Sequence, residues 1–294
     1  MNNNKVTKEY IRNLASSFFE NSKDNYIAKE IAIAPDMEET KIFEAPILAF
    51  GDADDEYFKL LKDPDAIGSH FVAPKDWLPE AKTVISFFLP YTEEIRKSNR
   101  IDMSWPSNGW LYGRIEGQEL ANKFCHYLIS QLGEAGYKSI APTLSERFWA
   151  QKDLDSENPN NGATSPPSFT SNWSERHVAF VCGLGTFSLS KGLITEKGMA
   201  GRLGSIVTEL DLSPDERNYQ HIYEYCSMCG ACIKNCPVNA ISMEKGKIHK
   251  LCSDYIDLTA ERCAPRYGCG KCQVKVPCES SIPKKGADAT FASH

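Results

Sequence analysis

The sequence predicts an α/β (α+β) core over residues 1–215, followed from 216 to 294 by a small cysteine-rich module with a ferredoxin-like fold. Between Lys82 and Pro142 a strand-type run, a helix-period stripe and a second short apolar run succeed one another, the pattern of packed helix and sheet layers. Nine of the eleven cysteines crowd into residues 226–278. At 294 residues the chain is too long for a ferredoxin alone, so its front part must bury a substantial core of its own.

Taken in order, Tyr10, Ile11, Leu14 and Phe18 recur at helical spacing and predict an amphipathic helix opening at Thr7. Lys82-Thr-Val-Ile-Ser-Phe-Phe-Leu89 is rich in β-branched and aromatic residues and is ended by Pro90, which reads as a strand buried on both faces. Residues 91–115 are loop-rich and gather Trp105, Trp110, Tyr112 and Arg114. Packing explains this aromatic group, and a flat cofactor resting on the rings is the alternative. Leu120, Phe124, Leu128 and Leu132 draw a stripe at four-residue steps, a helix from Glu116 that a left-handed Gly136 stops. Asp153 to Thr170 is polar and without periodicity. Because it leads straight into the densest polar motif of the core, we expect a lid.

Cys226-Ser-Met-Cys229-Gly-Ala-Cys232-Ile-Lys-Asn-Cys236-Pro237 has the C-x2-C-x2-C-x3-C-P spacing that wraps thiolates around an iron-sulfur cube. A structural zinc site would be the reading for an isolated C-x2-C pair, but a triplet at three-residue intervals suits one tetrahedral ion poorly. In two-cluster ferredoxins the fourth cysteine of such a run serves the other cube. That crossing assigns Cys226, Cys229, Cys232 and Cys278 to one [4Fe-4S] cluster, and Cys236, Cys252, Cys269 and Cys272 to a second. The gap from Cys272 to Cys278 is two residues longer than a second ferredoxin repeat would have, so the chain must bulge there. Cys263 is spare, and it could also displace Cys252 or Cys278. The chain is thus expected to move electrons.

The composition, 41% hydrophobic and 24% charged, is that of a soluble globular protein. The amino terminus carries neither an apolar signal core nor a twin-arginine pair, and no stretch approaches a membrane span, so the expectation is a cytoplasmic protein without membrane contact. Cysteines spaced for metal ligation fit a reducing compartment, and Cys125 and Cys182, set among apolar residues, read as packing residues. A net charge of −6 disfavours a broad nucleic-acid surface without excluding a local one. Lys245, Lys247, His249 and Lys250 form one basic group, read as a solvated turn.

Ser171-Asn-Trp-Ser-Glu-Arg-His177, followed by Gly183-Leu-Gly185-Thr-Phe-Ser188, concentrates hydrogen-bonding and ionisable groups beside a glycine pair. Gly-Leu-Gly lacks the third glycine of a dinucleotide fingerprint, and an ordinary capped turn explains it equally well. The cofactor-binding candidates here are Ser174, Arg176, His177, Gly183, Gly185, Thr186 and Ser188, with Arg114 from the aromatic group. Arginine offers a planar fork, histidine a donor or acceptor, and glycines let backbone amides approach a ligand.

The Ser-Glu-Arg-His order, Gly-Leu-Gly-Thr-Phe, Gly201-Arg-Leu-Gly-Ser-Ile-Val-Thr208 and the tandem cluster motifs together resemble the epoxyqueuosine reductase family, more distantly related to reductive dehalogenases. The resemblance runs from about Lys82 to Pro283. It implies a nitroreductase-like core that binds a corrinoid (cobalamin), two [4Fe-4S] clusters relaying electrons to it, and an acidic residue that supplies a proton to a small-molecule or nucleoside substrate. The family's aspartate before an Ala-Pro is replaced here by Ser139-Ile-Ala-Pro142. The proton donor then falls to Glu175 or Tyr112, with Glu146 as a further choice, although a glutamate beside an arginine reads equally as an ion pair. A redox partner such as a ferredoxin or flavodoxin would supply the electrons. Two other readings are a dicluster electron-transfer protein without its own corrinoid chemistry, and a reductase that uses FMN.

Overall fold

Thr7 starts the first helix, α1 (Lys8–Asn21), by accepting a hydrogen bond from the Tyr10 N–H on its hydroxyl oxygen at 3.1 Å. The structure, a computed structural model, describes residues 6–152 and 168–284. Helix α1 buries Ile11, Ala15 and Phe19, while Tyr10 is exposed and Leu14 and Phe18 only flank the core. The inward face is therefore turned one residue from the stripe expected, because Phe19 is drawn into a ring cluster with Phe43 and Phe124.

The core is a four-stranded sheet of β1 (Ile47–Asp52), β2 (Thr83–Pro90), β3 (Ser139–Ile140) and β4 (Gly201–Thr208), in the order β1-β2-β4-β3. Every pairing is antiparallel, with Ile47 opposite Phe88, Thr83 opposite Thr208, and Ser139 opposite Thr208 on the other edge. All eight residues of β2 are buried, including Pro90, which closes the strand opposite Gly201 rather than ending it beforehand. Alternation along β2 explains the burial: Ile85, Phe87 and Leu89 enter one hydrophobic cluster, Val84 and Phe88 the other.

Four further helices position the site: α2 (Glu93–Asn99), α3 (Asn108–Arg114), α4 (Glu116–Glu134) and α5 (Glu175–Cys182). Leu120, Phe124, Leu128 and Leu132 on α4 face one side of the sheet, and Val178, Ala179 and Val181 on α5 face the other. Gly136, two residues past α4, has φ of +91°, the left-handed stop expected. Most of the expected lid, Asp153 to Thr170, lies outside the described residues.

The cysteine-rich part carries a hairpin of Ile241–Ser242 with Gly246–Lys247 and the helix α6 (His249–Cys263). Two Cys-Gly-x-Cys turns repeat one backbone device: Gly230 and Gly270 follow their cysteines with φ of +71° and +69°, values an L side chain adopts only with strain. The two extra residues before Cys278 are absorbed in a bulge: Lys275 has φ of +52°, and Val274 and Val276 are buried. Asn235 Nδ2 ties the bulge down by donating to the Val274 carbonyl at 2.8 Å.

The module is fastened to the core by polar links. Arg266 pairs with Glu116 at 2.5 Å, and the buried Glu279 accepts from Arg100 Nε at 3.0 Å and from the Lys275 N–H at 2.8 Å.

Candidate iron-sulfur and cofactor site

The cysteines fall into two spatial sets. Cys226, Cys232 and Cys229 act electrostatically on Cys278, Cys252 and Cys236 act on Cys272, and Cys272 and Cys252 act on Cys269, while Cys272 also reaches Cys232 of the first set. The second set, Cys236, Cys252, Cys269 and Cys272, lines a hollow of about 240 Å3. In the first set Cys229 is exposed and Cys226, Cys232 and Cys278 are buried. Cys263 sits at the end of α6 and does not line the hollow. Among the described residues no three His, Cys, Asp or Glu side chains converge closely enough to hold a single metal ion. Thiolates of a four-iron cube bind separate irons and need no such convergence.

Burial pushes the thiols of Cys232, Cys269 and Cys278 up to about 12, with neighbouring cysteines adding to it. Without a cation these groups stay protonated, and coordination to iron reverses that balance. The backbone supplies N–H groups to the sulfurs: Ala240 donates to Cys236 Sγ at 3.2 Å.

Beside the hollow opens a larger cavity of about 460 Å3. The two share Arg176, Gly201, Arg202 and Gln273, so the cysteine-lined space and the larger cavity are separated by a single layer of residues. Phe87, Phe148 and Trp173 give the cavity flat apolar faces, and Gln118, Asn122 and Ser174 give it polar ones. Gln118 and Asn122 are successive turns of α4, joined by a hydrogen bond of 2.9 Å, and Arg202 donates to the Gln118 side-chain oxygen. Cys125, one turn further on, is a buried packing thiol that also reaches the cavity wall.

Glu175, at the first turn of α5, lines this cavity. Its two carboxylate oxygens are buried and make no hydrogen bond. Desolvation raises its pKa to about 7, against smaller lowering effects of Ser205, Thr143 and Trp173, whose polar groups lie close to the carboxylate. Arg176, the next residue, does not pair with it. Adjacent helical side chains point some 100° apart, and the guanidinium reaches the boundary with the cysteine-lined hollow instead. Arg176 keeps accessible surface, and desolvation of its guanidinium lowers its pKa. Burial likewise brings Arg202 down to about 10, and Arg114 and Arg176 add to the effect. Among the described residues Arg114, Arg176 and Arg202 make no ion pair with a carboxylate, and Arg114 stacks on Tyr267 at 4.8 Å.

The remaining sequence candidates lie elsewhere. Tyr112 is fully buried, its hydroxyl donates to the Ile31 carbonyl and accepts from the Ile33 N–H at 2.8 Å, and Arg266 covers its ring at 4.0 Å. A phenol so enclosed lines neither cavity and is a packing residue. Gly183 ends α5 with φ of +98°, and Gly185 packs so tightly that a Cβ would fall 1.9 Å from the Ile194 carbonyl oxygen. Thr186 accepts from the Tyr225 N–H at 2.8 Å and Ser188 bonds Ser190 at 2.8 Å. That segment is a helix cap leading into a hairpin and does not line the cavities. His177 is held by Ser174 at 2.8 Å against Phe187, and burial, then Arg176 and Lys191, lower it to about 4. It is therefore neutral at physiological pH. Of the basic group, Lys245 is exposed and Lys250 pairs with Asp254, while Lys247 turns to the cysteine-lined hollow.

Arg202, Gln118, Asn122 and Trp173 were not singled out by sequence reasoning. One signal was available: Gln118, Asn122 and Cys125 repeat at helical spacing beside the apolar stripe of α4, a polar strip that a buried helix keeps only where it meets a cavity.

The family model for the 4Fe-4S binding domain matches residues 219–242. This chain is similar to epoxyqueuosine reductases and reductive dehalogenases. Tetrachloroethene reductive dehalogenase of Desulfitobacterium hafniense is 38% identical over 69 residues, 23% of this chain and 12% of that protein. Epoxyqueuosine reductase of Cellulophaga algicola is 23% identical over 222 residues, 69% of this chain and 60% of that protein. The chain thus spans less than two thirds of either. Among solved structures, epoxyqueuosine reductase from Bacillus subtilis aligns with a TM-score of 0.46 at 17% identity, over 93% of this chain and 67% of that one. Both names recur among curated and structural relatives at low identity.

Proposed function

We propose that this chain is an iron-sulfur reductase. It holds one [4Fe-4S] cluster on Cys226, Cys229, Cys232 and Cys278, a second on Cys236, Cys252, Cys269 and Cys272, and a corrinoid in the adjoining cavity, where Glu175 supplies a proton to the substrate. Residues 1–215 then form the cofactor- and substrate-binding part and 216–294 the cluster-binding part. The observation that carries the reading is the shared layer of Arg176, Gly201, Arg202 and Gln273. It sets a four-cysteine hollow directly against a cavity that contains a buried, unpartnered carboxyl group.

The donor sets suit these groups. Cys236, Cys252 and Cys269 all lie within electrostatic reach of Cys272, and a backbone N–H reaches Cys236 Sγ, an arrangement that suits a cube. Flat aromatic faces with side-chain amides and guanidinium groups free of carboxylate partners match a planar ring rimmed by amides, of which a cavity of this size would enclose only a part. When bound, the clusters supply single electrons and the corrinoid a low-valent metal centre. The chain's own residues do the rest. Gln118, Asn122 and Ser174 orient polar groups, and Arg114, Arg176 and Arg202 compensate negative charge. Phe87, Phe148 and Trp173 exclude water, and Glu175 keeps a proton on its carboxyl oxygens up to about pH 7.

Anaerobic reconstitution with hydroxocobalamin, and separately with FMN, followed by gel filtration and visible spectra, tests this reading. Corrinoid retained at about one per chain supports it. Retained flavin in its place points to a flavin reductase, and retention of neither leaves a dicluster electron carrier.

A further inference from the structure

The two Cys-Gly-x-Cys turns share their backbone but differ at one position: Ala231 in the first, Lys271 in the second. Lys271 is a fully buried lysine. Its ammonium donates to the Asn99 carbonyl oxygen at 2.8 Å and to Asn99 Oδ1 at 2.7 Å. Asn99, at the end of α2, also donates Nδ2 to the Cys269 carbonyl at 3.0 Å and accepts from the Ser107 N–H at 3.0 Å. The lysine is thus fixed from the core side and from the cysteine side together. Asp102, the carboxylate that acts on it, is exposed, and among the described residues no acid makes an ion pair with it. A buried ammonium without a counter-ion is costly to keep, unless a negative charge normally lies beside it.

We propose that Lys271 is a fixed positive charge that raises the reduction potential of the cluster held by Cys236, Cys252, Cys269 and Cys272, and so favours electron arrival beside the cavity. The inference rests on the two-cluster reading above. Reduction adds one electron, taken from a low-potential one-electron donor, and increases the negative charge at the cysteine-lined hollow. Partial burial of these four cysteines opposes that increase. A cation held in the same low-dielectric region offsets this, and the first turn, with Ala231, has no equivalent.

The test is an anaerobic redox titration followed by EPR, with dithionite and mediators, on the full chain as wild type, Lys271→Gln and Asn99→Asp. Asn99→Asp keeps the lysine and places an opposing charge against it. The expected result is eight irons per chain in each protein. One of the two midpoints should be lower in both variants by at least a tenfold change in the reduction equilibrium, about 59 mV for one electron, with the other midpoint unmoved. Unchanged midpoints with eight irons overturn the inference, as does loss of four irons from both variants, which would make Lys271 a scaffold. Wild-type protein with fewer than eight irons overturns the two-cluster reading and the inference with it.

Discussion

Gly270 lies against the indole of Trp110 so closely that a Cβ on it would fall 2.0 Å from Trp110 Cε2. This contact joins a cysteine turn to helix α3 of the core, and Trp110 is itself clamped by Tyr91, with ring centroids 4.9 Å apart. The placement of the second cysteine set relative to the cavity therefore depends on one missing methyl group.

Gly270→Ala is expected to lose about four of eight irons, because both the positive φ and the clash act against the turn. Gly230 has the same backbone conformation, but its nearest neighbour to a new Cβ is Ile233 Cδ1 at 3.8 Å. Gly230→Ala should keep eight irons and lose only about 1–2 kcal/mol of stability. Iron analysis and thermal melts of the two variants make the comparison.

Glu175 gives a pH signature with a definite sign. Its pKa rises from 4.5 in the unfolded chain to about 7 in the fold, so the folded state binds the extra proton between those values. Stability is fully present below pH 4.5 and declines as pH rises through 7, by roughly 3 kcal/mol. Glu175→Gln removes that dependence: its melting temperature should exceed wild type at pH 8 and match it near pH 5. Equal melting temperatures at both pH values would show that the carboxyl group is not held neutral. In turnover, wild-type activity should fall about tenfold per pH unit above 7 if Glu175 is the proton donor.

Tyr112→Phe separates packing from chemistry. The hydroxyl bonds only the backbone of Ile31 and Ile33, so its removal should lower stability by about 1 kcal/mol and leave turnover unchanged. A loss of turnover without a loss of stability would return Tyr112 to the catalytic candidates.

The contrast between Tyr112 and the cysteines shows what a sequence can carry. Cysteine spacing is local, and the repeat of Cys-Gly-x-Cys constrains its own backbone, so the 4Fe-4S motif was legible without a fold. The fate of Tyr112 is decided by Ile31 and Ile33, about eighty residues earlier in the chain. Likewise Glu175 and Arg176 read as a pair in the sequence, yet the helix sends them in different directions. The β2 run was legible as buried on both faces, but not as antiparallel, because helices α4 and α5 cover its two sides in the way parallel sheets are usually covered. Lys271 was invisible for a similar reason: its burial comes from α2, whose Asn99 lies 172 residues away.

Cys263 stands at the end of α6, outside the cysteine-lined hollow, and so is expected to be dispensable. Cys263→Ser should bind as much iron as wild type, whereas Cys252→Ser should lose one cluster. Iron bound per folded chain reads both.

The most direct measurement of the central claim is iron and acid-labile sulfide per chain in anaerobically purified protein, with its visible spectrum. The account predicts about eight of each, in a brown protein whose absorbance near 400 nm bleaches with dithionite. Colourless protein containing zinc, or one holding only four irons, would contradict it.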